Sequence, residues 1–241
     1  MLLKNKNAMI YGAGGAVGSA VARAFAREGA RVFPSGRKLA AIDAAAKDII
    51  VAGGAAESAE VDALDELAVQ KHTDEIARKA GSIDISFNVI SIPHVQGKSL
   101  VEQGVDDFAL PVMNFARTHF LTATAAARHM AEKKSGVIMM MSAPPGRVGR
   151  PLVGAFGAAC ATIEAFARTL AAEVGPRGIR VVCLPSSGSP GKTDAGRNFE
   201  RHAKAAGLTL EQLQAKLSEG TMLRRLTMLE GGSGYGGFRG I

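Results

Sequence analysis

The sequence is poor in cysteine and in large aromatic residues. Its 241 residues include two cysteines, two tyrosines and no tryptophan. The cysteines, Cys160 and Cys183, cannot form a disulfide framework, and no ligand spacing near them indicates a zinc site. With so few aromatic side chains, the chain offers few surfaces on which nucleic-acid bases could stack, so we expect no nucleic-acid partner.

Long apolar runs are also absent. A membrane-spanning helix needs about 20 apolar residues, and no such stretch occurs. The opening residues, Met-Leu-Leu-Lys-Asn-Lys-Asn, contain no apolar segment of signal-peptide length. We therefore expect a soluble, cytoplasmic protein with no membrane partner. A composition of 47% hydrophobic and 21% charged residues is typical of a folded chain.

The charge balance is basic, with a formal net charge of +7. The basic residues are spread over short clusters at 128–134, 147–150 and 197–204. Such a spread is typical of a solvated surface. The alternative is the attraction of small anionic ligands, phosphates included.

Short apolar runs alternate with longer helical patterns along the chain. We predict strands over 8–11, 31–33, 60–61, 83–90, 137–141 and 179–184, and helices over 19–28, 39–50, 64–80, 108–133, 153–174 and 209–218. This alternation predicts parallel strands joined by right-handed crossovers, which is an α/β fold with a Rossmann-type doubly wound sheet in three α/β/α layers. Residues 1–230 are predicted to form one domain, with a loop over 188–196 and a glycine-rich, flexible tail over 231–241.

A glycine-rich turn follows the first predicted strand and opens the first helix. It reads Tyr-Gly-Ala-Gly-Gly-Ala-Val-Gly over residues 11–18. Backbone N–H groups at a helix N-terminus bind a pyrophosphate, and glycines let the backbone approach it closely. An ordinary tight turn is the alternative. The strand–turn–helix context favours a dinucleotide site, with these residues at the cofactor: Gly12, Gly14, Gly15, Val17 and Gly18.

The second predicted strand ends in a cation rather than an acid. The residues there are Ser35-Gly-Arg37-Lys38. An acidic side chain at this point would bind the ribose hydroxyl of NAD, whereas an arginine suits the 2′-phosphate of NADP. We therefore predict that Ser35 and Arg37 bind the cofactor and that NADP(H) is favoured over NAD(H). An ordinary surface charge is the alternative for Arg37.

From residue 5 to about 230 the chain resembles the short-chain dehydrogenase/reductase family. Asp62 resembles the family's adenine-contacting aspartate, and Asn88-Val-Ile-Ser91 stands where the family has Asn-Asn-Ala-Gly. The resemblance therefore implies that Asp62 and Asn88 bind the cofactor. The Pro176-Arg-Gly178 segment resembles the junction before the sixth strand. The resemblance implies hydride transfer between a nicotinamide cofactor and a carbonyl or alcohol. It also implies that Asn114 is the active-site asparagine, whose backbone supports a water in the proton relay.

The family's catalytic pair is not present in this sequence. The family uses a tyrosine, whose pKa a lysine four residues later lowers, and a serine from the preceding strand. Phe156 aligns with the tyrosine and Cys160 with the lysine. Because phenylalanine has no ionisable proton and a thiol carries no positive charge, the usual mechanism is not expected to work. Counting from the following glycine places Ala143 at the serine position, and a one-residue loop difference would restore Ser142 as a catalytic residue.

Other residues could substitute for the missing groups. His94 follows the fourth predicted strand and has a side chain suited to proton transfer, although an exposed loop histidine is the alternative. Lys98 and Lys192 stand in loops that border the expected cleft and have the same alternative. Cys160 could act as a nucleophile only if its thiolate were stabilised; otherwise it is a small packed residue.

Two functional classes therefore stay open. The chain is either an NADP(H)-dependent oxidoreductase with a displaced or lost proton donor, or a non-catalytic dinucleotide-binding or partner subunit. The retained turn with Arg37 and Asp62 favours cofactor binding in both classes. No motif in the loops over 188–220 identifies a substrate.

The last eleven residues after Glu230 depart from the family's pattern. Read one frame over, permissive codons would give a string that resembles the family's helix at this point. We therefore hypothesise that the tail is a frameshift product and that the domain lacks its last strand. The helices predicted over 108–133 and 153–174 resemble the family's dimer-forming pair, so a homodimer is expected, whereas assembly through the last strand is not.

Overall fold

The computed structural model describes residues 1–187, 189–190, 194–226 and 228–229. The strands are β1 (Asn7–Tyr11), β2 (Arg31–Gly36), β3 (Ala55–Ala56), β4 (Ala59–Glu60), β5 (Ile85–Asn88), β6 (Gly136–Ser142) and β7 (Ile179–Pro185). The helices are α1 (Ala16–Arg27), α2 (Leu39–Val51), α3 (Glu66–Ala80), α4 (Val105–Lys133), α5 (Phe156–Val174), α6 (Asp194–Ala205) and α7 (Leu210–Glu219).

The strands form one parallel sheet in the order β3-β2-β1-β5-β6-β7, with β4 also paired to β2. The predicted doubly wound α/β fold is confirmed. Within the described part of the chain, β7 is the outermost strand on its side. The tail at 231–241 lies outside the described residues, so the frameshift hypothesis stays a prediction.

The core has one apolar cluster on each face of the sheet. Ile138 and Met140 of β6 pack with residues of α3, α4 and α5, whereas Met139 packs with residues of α1 and α2. This alternation is the side-chain period of a strand covered on both faces. The carboxyl ends of β1, β5 and β6 therefore meet at one edge of the sheet, which brings Gly12, Asn88 and Ser142 to the same side of the molecule.

Some of the predicted elements are wrong in detail. Instead of one strand over 60–61 there are two short strands, β3 and β4. Between them Glu57 pairs with Arg31 and Lys79, which takes this residue out of the strand pattern. The strand predicted over 83–90 ends at Asn88, because the side chain of Asn88 accepts a hydrogen bond from the N–H of Ile90 and turns the chain.

The loop predicted over 188–196 is wrong at its end, because α6 begins at Asp194. A capping box opens α7: Thr209 Oγ1 accepts from the N–H of Gln212, whose side chain accepts from the N–H of Thr209. No helix in the described part of the chain has the length and apolar character to cross a membrane.

Candidate functional site

The glycine turn between β1 and α1 leaves no room for a side chain at Gly12 or at Gly18. Gly12 has a φ of +85°, and a Cβ on it would lie 3.0 Å from backbone atoms of Ile90. A Cβ on Gly18 would collide with the carbonyl oxygen of Gly12. The N–H groups of Gly12 and Ala13 both donate to the carbonyl of Ser35, at 2.9 and 3.1 Å. The turn is thus fixed to the end of β2, and α1 starts directly against it.

The N-terminus of α1 has no acceptor of its own. Gly15 is the N-cap, no side chain caps the helix, and its first turn carries no acidic residue. Gly14 and Gly15 are exposed, and Val17 is half-buried. Because the first N–H groups of a helix need acceptors and carry the positive end of its dipole, this end suits a phosphate group.

Arg37 stands at the far side of this turn. It comes two residues after Ser35, is exposed, and forms no ion pair with another described residue. Ser35 itself is buried, and its hydroxyl faces the carbonyl of Ile10 at 3.4 Å. Of these two predicted cofactor ligands, only Arg37 has its side chain on the surface.

The remaining predicted cofactor residues differ in their surroundings. Asp62 is exposed, and its Oδ1 accepts from the N–H of Leu64 at 3.0 Å. Asn88 is buried, donates from Nδ2 to Oγ1 of Thr122 at 3.1 Å, and accepts from the N–H of Ile90 at 3.0 Å. Asn88 thus ties β5 to α4 and holds the chain where it leaves the sheet. Its contact with a cofactor stays a prediction.

Phe156, the first residue of α5, lies in a cluster of rings. The His94 imidazole is parallel to its ring, with centroids 4.7 Å apart and planes 5° from parallel. Phe115 of α4 meets it edge to face at 6.1 Å. The residue that the sequence analysis aligns with the family's tyrosine is thus an apolar ring, covered on one face by His94.

Asn114 does not take part in this cluster. It is half-buried on α4, and the ring of the next residue, Phe115, contacts the Phe156 ring. The role of Asn114 in the relay stays a prediction, and Phe115 was missed by sequence reasoning.

Cys160 lies one helical turn after Phe156 and is completely buried. Burial raises the pKa of its thiol to about 12, although a hydrogen bond with the backbone of Ala143 opposes this shift. The thiol is therefore neutral at physiological pH. It supplies neither a positive charge nor a nucleophilic thiolate.

Ser142 is buried at the end of β6, and its hydroxyl is engaged. It donates to Oε1 of Glu164 at 2.7 Å, while Nε of Arg147 donates to Oε2 of the same carboxylate at 2.5 Å. Burial raises the pKa of the Glu164 carboxyl, but the bonds from Arg147 and Ser142 outweigh it and the net shift is downward. The hydrogen-bond partner of Cys160 is the backbone of Ala143. Sequence reasoning missed Glu164, since its partners are distant in the chain.

His94 belongs to a chain of hydrogen bonds that reaches α6. Its Nδ1 lies 2.7 Å from the carbonyl oxygen of Ile92, and its Nε2 lies 2.5 Å from Nε2 of Gln96. Oε1 of Gln96 lies 2.6 Å from Nε2 of His202. Lys98 is exposed in the same loop, and Lys192 lies outside the described residues. In the part of the chain that is described, no group of three or more possible ligands could hold a metal ion.

Comparison with known proteins agrees with this architecture. Residues 12–227 match the family model described as Enoyl-(Acyl carrier protein) reductase. An uncharacterized oxidoreductase of Mycobacterium tuberculosis is 29% identical over 230 residues, covering 93% of this chain and 81% of the relative. The sorbitol dehydrogenase of Cereibacter sphaeroides is 30% identical over 198 residues, covering 80% and 73%.

Solved structures share the fold. NAD+-bound xylitol dehydrogenase superposes with a TM-score of 0.88 at 24% identity, covering 95% of this chain and 89% of that one. A metagenomic short-chain oxidoreductase in complex with NADP gives a TM-score of 0.72 at 21% identity, with coverages of 88% and 94%. On the family match and this fold, the chain belongs to the short-chain dehydrogenase/reductase family.

Proposed function

We propose that this protein binds NADP(H) and acts by binding it, without the carbonyl reduction that is usual in its family. The observation that carries the proposal is the state of the Phe156 centre. At the two positions where the family holds a phenol and an ammonium, this chain holds a ring stacked on His94 and a buried, neutral thiol. Neither group can pass a proton to a substrate oxygen.

The phosphate end of the site supports retained binding. A turn in which Gly12 and Gly18 exclude any side chain, followed by an uncapped α1 N-terminus, fits a pyrophosphate. Arg37 is exposed beside it and suits a 2′-phosphate. When bound, the nicotinamide supplies or accepts a hydride. In this chain the protein groups that would move the accompanying proton are missing.

The other half of the cofactor is expected to be held less firmly. In the family the lysine also contacts the nicotinamide ribose, and Cys160 cannot replace that contact because its thiol is uncharged and buried. We therefore expect NADPH to bind more weakly than in relatives that keep the lysine. Sub-micromolar affinity would contradict this part of the proposal.

Calorimetry with NADPH and NADH tests the cofactor preference. Replacement Arg37→Ser should weaken NADPH binding roughly tenfold, because a charge-assisted phosphate contact is lost, and should leave NADH binding unchanged. Arg23→Ser on α1 removes the same charge and serves as the control. Equal affinity of the wild type for both dinucleotides, or an equal effect of the two replacements, would overturn the preference.

A second candidate is a reductase in which His94 is the displaced proton donor. The observation that favours it is the position of the imidazole directly over the Phe156 ring. In this case the purified protein would oxidise NADPH with a carbonyl substrate, and His94→Phe would abolish turnover while leaving NADPH binding intact. His129→Phe, at a position where the imidazole contacts Asp74 of α3, is the control. Absence of turnover in the wild type would exclude this candidate.

A further inference from the structure

The α6–α7 hairpin has few contacts with the sheet. Among the described helices and strands, α6 and α7 pack mainly against each other. Gly207, at a φ of +64°, makes the tight turn between them, and no residue of α7 is fully buried. Such an element is held to its protein by a small number of contacts, and these contacts decide whether it stays closed.

Two of those contacts are made by the loop that carries His94. Gly97 of this loop packs against α6, since a Cβ on it would lie 3.7 Å from the carbonyl oxygen of Arg201. Next to it, Gln96 joins His202 of α6 to His94 by two short hydrogen bonds, of 2.6 and 2.5 Å. The loop is in turn tied to the segment before α5, where the N–H of Gly97 donates to the carbonyl of Leu152 at 2.8 Å.

The three hydrogen bonds of His202, Gln96 and His94 fix which nitrogen or oxygen donates and which accepts. His202 Nε2–H donates to the carbonyl oxygen of Gln96, and the Gln96 amide donates to Nε2 of His94. His94 then carries its proton on Nδ1 and donates to Ile92. A glutamine is required in the middle because one end of its amide accepts while the other donates. An apolar residue at position 96 would break both bonds together.

We infer that Gln96 is a latch that couples two segments, the α6–α7 hairpin and the loop over 92–104. Through this residue, the position of α6 is linked to the stacking of His94 on Phe156. Opening of the hairpin breaks the bond between Gln96 and His202 and leaves the Gln96 amide, which also holds His94, without its partner on α6. Displacement of the loop that carries Gln96 and His94 breaks the same bond and releases α6. The two segments open and close as one unit.

Limited proteolysis with trypsin, in the absence of any dinucleotide, tests the latch. Both segments contain exposed cleavage sites, Lys98 in the loop and Arg201 and Lys204 in α6. In Gln96→Leu and in His202→Phe, cleavage at both sites should rise together, by roughly fivefold to tenfold for one or two lost hydrogen bonds. Gln70→Leu on α3 is the control and should cleave like the wild type.

Mass spectrometry of the fragments gives the cleavage rate at each segment, and these rates distinguish the possible outcomes. A parallel rise at the loop and at α6 in both variants supports the latch. A rise at only one of the two segments, or rates equal to those of Gln70→Leu, overturns it. His202→Phe keeps the test valid if Gln96→Leu does not fold. Because no cofactor is present, the result does not depend on the proposed function.

Discussion

At the scale of single residues, the side chains at the centre of the molecule are either packed against apolar neighbours or hydrogen-bonded within the protein. Phe156 and Cys160 pack as core residues. The hydroxyl of Ser142 donates a hydrogen bond to the buried Glu164. The cost of moving a carboxylate out of water explains this arrangement, since Glu164 needs both Ser142 and Arg147 as donors.

Replacement Ser142→Ala should therefore act on stability. It leaves Oε1 of the buried Glu164 without its donor, which typically costs about 1–3 kcal/mol. Urea unfolding would measure the loss, and calorimetry should find NADPH binding unchanged. Thr169→Ala, at an exposed position on α5, is the control. Unaltered stability together with altered binding or turnover would instead favour a direct role of Ser142 in the site.

Two buried histidines predict a dependence of stability on pH. Burial lowers the pKa of both His72 and His119 from 6.5 to about 4. The unfolded chain binds these protons first, so the stability due to the neutral rings is complete above about pH 6.5 and is lost as the pH falls towards 4. By linkage the loss is at most roughly 3 kcal/mol for each residue.

Denaturant unfolding at pH 7 and pH 5 would measure this dependence. His119→Phe removes one buried titrating group from α4 and should make the free energy of unfolding less sensitive to pH over this interval. His72→Phe should have a similar effect from α3. If both variants keep the pH dependence of the wild type, the two rings do not contribute in this way.

At the scale of elements, the glycine turn connects fold and binding. Gly18→Ala would place a methyl group against the carbonyl oxygen of Gly12, so α1 must move away from β1. We expect a destabilisation of about 1–3 kcal/mol, typical of overpacking, and a loss of NADPH binding. Gly175→Ala has open space around it and is the control. Unchanged NADPH binding in Gly18→Ala would contradict the assignment of this turn.

The sequence predicts the helices and strands better than it predicts the side-chain contacts between them. The order of strands and helices follows from apolar periodicity, and the turn at Gly12 follows from its glycines. The polar pattern of α6, with a glycine at 196, concealed a helix within a predicted loop. The bond between Gln96 and His202 joins residues 106 positions apart, which no local pattern indicates.

At the scale of the whole molecule, an apolar stripe on α4 predicts association. Leu110, Met113 and Phe120 are 47%, 54% and 54% exposed, and Phe120 meets Phe166 of α5 at 5.9 Å between ring centroids. Burying such side chains against a second copy removes apolar surface from water. We predict a homodimer through the α4–α5 face.

Light scattering coupled to gel filtration would measure the assembly. Phe120→Glu should convert the dimer to a monomer, because a charge in an apolar interface is costly to desolvate. Leu67→Glu, at an exposed position on α3, is the control and should stay dimeric. A wild-type protein that is monomeric at all concentrations, or a dimer that survives Phe120→Glu, would contradict this interface.

The most direct test of the account follows NADPH and turnover in one sample of the wild-type protein. NADPH is titrated by calorimetry, and its oxidation is then recorded with a panel of ketones and sugars. The account predicts saturable binding that favours NADPH over NADH, with no oxidation above the rate without protein, because neither Phe156 nor the neutral thiol of Cys160 can donate a proton to a substrate. Substrate-dependent oxidation of NADPH, or the absence of binding, would contradict it.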